Sequence, residues 1–590
     1  MNTPTPTLPT NPIEPGLARN DFLLLAACCL AFFGFSLVGG RPLTMHEGVL
    51  PQSAREMLAD HDFVVPKNGG RPWLESPPLP QWTTVALYSL FGSGDQLWVA
   101  RIGPALMGTL SVLLLAWMAG RLFGRTIGLL SGGVFATMYE LVQYSWLAED
   151  EIFLCALVTL AVSAFVWVEY VRADSAAPGS RNFFGARPWS LLLFFLALGA
   201  TNLAKGIAFG TVMAAVSMAT TLLWNRDFRR ISFYCWFWGW LAYGAVALAW
   251  PLAAWLRYPD VVNVWFFDHM GRLDGDYQAI TKPLWYYAKT LPGEIAPWTL
   301  IAPLGLWLTA RTAFGERYSP WRFVWCWAIA TPVVFSLPQG KNHHYLLHCI
   351  APWGMLSAVA LVWLHKKITT QPAIKPWVGP TVAAAVAATA LIVVRHKLPD
   401  PWLFPTLLTV VPTTLAAAVW AVAQPRPRFA AGALFGVIAL GFCGGHWYAG
   451  AYADLCRDDT AFLAKVRQIA KPDDQVFVDT KLGSLDEFRI LYYLDGRTKA
   501  LHNLSFLADS QIAKPQVLVV ARASAESQLE PFGDVELVAQ SAKTRREKSP
   551  ADRFTLFRLT YRPDRPRVST AAVRISPMQV MQREEGPFLR

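Results

Sequence analysis

The chain has 590 residues, of which 54% are hydrophobic and only 16% charged. Soluble domains carry nearer a quarter charged residues, so this balance excludes an ordinary soluble enzyme and describes a chain that lives largely in lipid. A net charge of +11 does not mark a nucleic-acid partner, because Arg and Lys fall mostly in short turns between apolar runs, where they orient a chain in a bilayer.

In chain order, residues 1–21 read as a polar, Pro-rich cytoplasmic tail, and the apolar run behind them lacks a small-x-small cleavage site, so a retained first span is expected. A crossing needs ~20 mostly apolar residues. Spans are expected near 22–40, 101–121, 126–145, 151–171, 188–204, 206–223, 232–256, 292–310, 323–338, 345–364, 377–394, 403–423 and 429–447. That gives about thirteen. The patch 79–92 is short and Pro-led and reads as re-entrant or interfacial. With the N-terminus inside, each inside turn is basic, from Arg121 and Arg125 through Arg172, Arg226, Arg311 and Lys366 to Arg428, as the positive-inside rule requires.

The stretches 41–100, 146–150, 257–291 and 338–344, with the turn at Lys205, then share the outer face. The expected fold is mainly α: a polytopic helical bundle over 22–450, whose first outer loop, 41–100, carries the chemistry. Residues 451–562 read as a small extracytoplasmic α/β domain, with helical patterns at 459–470 and 484–494 and strand patterns at 475–479, 516–520, 535–539 and 553–561. The basic end, 563–590, reads as disordered. Seven of the eight cysteines lie in or beside apolar runs, which argues against a disulfide framework.

The organising stretch is Thr44–Trp82, where His46 and Glu47 follow the first span. A second acidic cluster, Glu149-Asp150-Glu151, is squeezed between two apolar runs on the same face. Three adjacent acids repel one another and are partly desolvated, a cost that cations, a metal or a substrate must offset. Lys67, Arg71, Lys205, Arg272, Lys282 and Lys341 are expected on that face too, where the positive-inside rule gives no reason for them. Snorkelling explains any one; together they suit a lipid phosphate held at membrane depth. The aromatic loop 261–298 adds Asp268 and His269, and suits either a sugar or isoprenoid cradle or a plain interfacial belt. His343 and His344 open a later span, but without a spaced third ligand a divalent metal stays open.

These motifs resemble the GT-C glycosyltransferases, and within them the bacterial branch of lipid A aminoarabinose transferases, related to protein O-mannosyltransferases. The resemblance covers about residues 20–450: REML at 55–58, HDFVVP, LESPPLPQW, RIGPAL, RLFG at 121–124, Lys205-Gly206, His269 with Arg272, KPLWYY from Lys282, and KNHHYLL from Lys341. It implies a polyprenyl-phosphate-linked sugar donor, an inverting transfer to a lipid, glycan or protein acceptor, and a multi-pass protein of the cytoplasmic membrane with its site facing the periplasm. It implies Glu47, or the Asp150/Glu151 pair, as base with His46 assisting. Lys205, Arg272 and Lys341, with Lys67 as a substitute, would hold the donor phosphate. Arg55, Glu75, His269, Lys282, Tyr286, His344 and Tyr345 would line the substrate pocket. No cofactor is implied with certainty. Two departures stand out: His46 replaces the first-loop Asp, and Ser76 replaces the Lys of E-K-P-P. A transporter or flippase of lipid-linked intermediates would need charges along a mid-membrane path, whereas these cluster at one face. A catalytically silent binding protein is the remaining alternative.

Overall fold

The computed structural model describes residues 16–562, apart from 39–40, 45, 93–95, 172–188, 207, 227, 275–280, 371–377, 395–402, 458, 472, 480–485, 495–497, 502–503, 505–506, 508–513 and 544–548. Residues 1–15 of the expected tail 1–21, the expected tail 563–590 and the basic turn at Arg172 lie outside the described residues. What is described is mainly helical. Among the described residues four helices are long and apolar enough to cross a membrane: Arg19–Val38, Leu97–Phe123, Glu151–Val171 and Pro427–Tyr448. Two bent pairs, Phe237–Ala247 with Ala249–Arg257 and His343–Cys349 with Ala351–Thr370, make up to six.

The difference from the uninterrupted runs expected has visible causes. The run 126–145 divides into helices Arg125–Ala136 and Tyr139–Trp146. At the break the Thr137 hydroxyl bonds back to Gly133 O at 2.7 Å, a contact that bends helices, and receives the Trp298 indole N–H at 3.1 Å. Tyr139 N–H leaves the helical ladder for Ala296 O at 2.8 Å. The helix Leu79–Phe91 has 13 residues, about 20 Å of rise, and is too short to cross.

One large apolar core joins helices from Cys29 to Leu434. Helices Ala302–Gly315 and Ala351–Thr370 touch backbone to backbone at Gly305, where a Cβ would sit 2.0 Å from Leu356 O. At the end of the bundle that carries the loop of interest, helix Val49–Asp60 buries Leu50, Ala54 and Met57 against Val85, Tyr88 and Val99. It stops at His61, whose φ of 52° no helix continues. The antiparallel arm of Lys67–Asn68 and Arg71–Pro72 turns through Gly69 and Gly70, both at positive φ as a tight hairpin requires. Their N–H groups donate to Glu56 at 2.6 and 2.9 Å.

The C-terminal part holds a five-stranded mixed sheet in the order Thr498–Leu501, Val476–Asp479, Gln516–Arg522, Phe554–Tyr561, Gly533–Gln540. The first three pair in parallel and the last two join antiparallel. Its helix Asp486–Tyr493 presses on the first loop so closely that a Cβ at Gly48 would lie 2.6 Å from the carbonyl carbon of Phe488. The loop is therefore gripped from both sides, by the bundle and by the sheet's helix.

Candidate active site

The turn His46–Gly48 enters helix Val49–Asp60 and swings Glu47 fully inside the protein. There Arg101, itself 2% exposed, donates Nε to Oε1 at 2.9 Å and Nη2 to Oε2 at 3.2 Å. Thr44 N–H reaches Oε2 at 2.8 Å and Ala148 N–H reaches Oε1 at 3.1 Å. Burial pushes the carboxyl up, but the Arg101 charge and bonds, with Arg41 and the Thr44 N–H, outweigh it and hold Glu47 below the usual carboxylate range. Arg101 is steadied by a bond from Nη1 to Arg41 O at 3.0 Å. This carboxylate is bidentately paired and saturated with donors.

Ala148 leads directly into the acidic turn. Asp150 caps, and Glu151 opens, helix Glu151–Val166, where the helix dipole favours negative charge. Lys205, at the end of the short helix Asn202–Lys205, bonds the Glu151 carboxylate and stands 3.8 Å from Asp150 Oδ1. His344 Nε2 approaches Glu151 Oε1 at 3.2 Å, and the buried His348 Nε2 stands 3.8 Å from Oε2. Glu149 differs from its neighbours: its half-buried carboxylate makes no hydrogen bond or ion pair among the described residues. Burial, then the charges of Glu47, Asp150 and Glu151, push it well above the ordinary carboxylate range, with Lys205 opposing. A carboxylate held ready to take a proton, beside a lysine that can face a phosphate, is the chemistry this corner offers.

The other expected residues divide. Tyr345 is buried, its ring centroid 4.8 Å from that of His344. The Lys341 ammonium, 2% exposed, donates to Lys282 O at 3.0 Å, and Thr281 bridges Gly340, so the segments 281–282 and 339–341 are laced together. Tyr286 starts helix Tyr286–Glu294 beside this lacing, and Glu75 is half-buried in the exit of the first loop. His269 and Arg272 lie on helix Val261–Asp274; their side chains, like that of His46, are outside the described part. Lys67 turns instead to Asp60 at 2.6 Å, an exposed pair. Arg55 turns to the sheet's helix, donating to Leu491 O at 3.2 Å and Tyr492 O at 3.0 Å, because the helix C-terminus there offers bare carbonyls. Arg71 donates to Ala500 O.

His343 and His344 do not converge. His343 Nδ1 pairs with Glu140 Oε1 at 2.9 Å while His344 faces Glu151. Among the described residues no group of three or more His, Cys, Asp or Glu has a geometry that would hold a metal ion. Four residues enter the picture that the sequence reading left without a role: Arg101, His348, Glu140 and Glu294. Glu140 and Glu294 are buried acids, and Glu294 has both oxygens without a hydrogen-bond partner; Thr290 lies close to it but outside bonding geometry. Three of them carried a signal: Glu140 and Glu294 as acids inside or at the mouth of an apolar run, and His348 as a third His four residues after His344.

Residues 52–265 match the family described as dolichyl-phosphate-mannose-protein mannosyltransferase. The fold is shared with crystal structures of ArnT from Cupriavidus metallidurans. The form bound to undecaprenyl phosphate aligns with a TM-score of 0.70 at 19% identity, covering 92% of this chain and 98% of that one. The apo form gives 0.71 at 19% identity, covering 91% and 97%. The class is thus a helical membrane protein that shares the fold of these ArnT structures.

Within that class, the sequence is similar to undecaprenyl phosphate-alpha-4-amino-4-deoxy-L-arabinose arabinosyl transferases. That of Erwinia tasmaniensis is 30% identical over 315 residues, covering 52% of this chain and 53% of the relative. That of Aeromonas hydrophila is 30% identical over 347 residues, covering 57% and 59%. The matched part therefore spans somewhat more than half the length of these relatives.

Proposed function

We propose that the chain is a membrane glycosyltransferase that takes a sugar from a polyprenyl-phosphate donor and passes it to a lipid, glycan or protein acceptor. The observation that carries this reading is the junction of the two acidic sites: Glu47 receives Ala148 N–H at 3.1 Å, two residues before Asp150, which faces Lys205. Groups more than a hundred residues apart along the chain thus share one corner. The names of the similar proteins favour undecaprenyl phosphate as the carrier and a pentosyl group, an amino sugar, as the cargo.

In this reading Glu149, with Asp150 beside it, takes the proton of the acceptor as the acceptor atom bonds to the anomeric carbon. The bond from that carbon to the phosphate oxygen breaks on the opposite side, inverting the centre, and the phosphate leaves with the electron pair. Lys205 stabilises the charge that grows on it, with Arg272 and Lys341 as the further cations that the family resemblance implies. Glu47 positions the acidic turn through Ala148 instead of accepting the proton, because its oxygens are already occupied. His46, on the same turn, stands where relatives of the GT-C type have Asp. The basic turns expected at the far ends of the apolar runs support a site on the periplasmic side of the cytoplasmic membrane, and the expectation of about thirteen crossings with the sheet outside belongs to the same reading. Incubating the purified protein with radiolabelled undecaprenyl-phosphate pentose and a membrane lipid extract tests the reading. Label should move to an acceptor with wild-type protein and stay on the donor with Lys205→Met; label that never moves under any acceptor fraction rejects the assignment.

A further inference from the structure

The helix that presents Arg101 to Glu47 runs from Leu97 to Phe123, 27 residues or about 40 Å, so its far end lies a membrane thickness from the site. At that far end a cavity of about 380 Å³ opens between helix Arg125–Ala136, the last turns of Ala351–Thr370 and the start of Pro427–Arg457. Its walls are aliphatic, among them Leu129, Leu361 and Leu434. Its rim is basic: Arg125, Lys366 and Arg428, with His365 also lining the cavity. Among the described residues one carboxylate faces this rim. Asp21 accepts Arg125 Nε at 2.7 Å and Nη2 at 2.6 Å, and it also feels the Arg428 charge. Three cations against one acid leave the mouth positive.

Two of the three helices begin at this cavity and the third ends there, so the positive ends of two dipoles outweigh the negative end of one. An aqueous anion would explain the rim but not the aliphatic walls, and a hydrocarbon would explain the walls but not the rim. We propose that this slot binds an anionic membrane phospholipid, its phosphodiester at Lys366 and Arg428 and its acyl chains along Leu129, Leu361 and Leu434. Basic slots between membrane helices on the cytoplasmic side suit such headgroups. The site is separate from the acidic corner and does not depend on the reaction proposed there.

Native mass spectrometry of the detergent-purified full chain, with phosphatidylglycerol or phosphatidylcholine added, tests it. Phosphatidylglycerol should stay bound at collision energies that strip phosphatidylcholine. The double variant Lys366→Gln/Arg428→Gln should retain it roughly tenfold less well, and the charge-keeping pair Lys366→Arg/Arg428→Lys should retain it as wild type does. Equal retention of both lipids overturns the proposal, as does undiminished retention by the neutral pair. A third arm adds undecaprenyl phosphate; if it displaces phosphatidylglycerol from the slot at equal concentration, the phospholipid assignment is overturned in favour of the carrier lipid.

Discussion

Glu47 and Glu149 are two carboxylates of one corner with opposite surroundings. Glu47 is enclosed, bidentately paired with Arg101 and supplied with two backbone N–H groups, so it is held ionised. Glu149 is half-buried among acids and has no bonded partner among the described residues. The difference separates architecture from chemistry: a saturated carboxylate fixes the chain around it, and an unsaturated one keeps the capacity to move a proton.

The comparison breaks most sharply at the buried pair. Arg101→Met strands Glu47 as an uncompensated charge and should cost about 3–5 kcal/mol, seen as a large drop in melting temperature. Glu47→Gln on that background should recover much of it. If Arg101→Met melts like wild type, Glu47 is not the anchor described. Next in size, Gly48→Leu drives a side chain into the Phe488 backbone and should cost about 1–3 kcal/mol. It should lower transfer with it, because the turn that carries Glu47 is displaced; full activity in that variant would show that the grip of the sheet's helix is idle.

The sign of the pH dependence sharpens the contrast. Glu47 is depressed, so its stabilisation is present above the ordinary glutamate value of ~4.3 and is lost as pH falls below it, which unfolding curves at descending pH can follow. Glu149 is raised, so a rate that needs its ionised form should climb with pH along a limb above ~4.3 that Asp150→Asn shifts downward by removing a repelling charge. An unmoved limb would take the proton transfer away from Glu149. The smallest effect belongs to Lys67: its exposed pair with Asp60 should be worth about 0.2–1 kcal/mol, and Lys67→Ala should transfer sugar at close to the wild-type rate.

Much of this was legible in the chain. The apolar runs and charge balance marked a membrane bundle, and of the lysines expected on one face Lys205 meets Asp150 and Glu151. The pairing of Glu47 with Arg101 was hidden by the 54 positions that separate them, and Arg101 read as part of a span's opening motif. The roles of Arg55 and Lys67 were misplaced for a similar reason: a cation on a polar loop has several nearby acceptors, and only the folded chain selects Tyr492 O for one and Asp60 for the other. Hydrophobic length alone also hid the helix breaks, since Thr137 bends its run through a side-chain bond that leaves the hydropathy unchanged.

The most direct measurement is the single-turnover transfer rate of purified Glu149→Gln, taken alongside its melting temperature. A fall of about a hundredfold or more with melting unchanged or raised, since the lost charge was repelled, is the expected result. Turnover near that of the wild type would contradict the view that the unpaired acid of this corner does the chemistry.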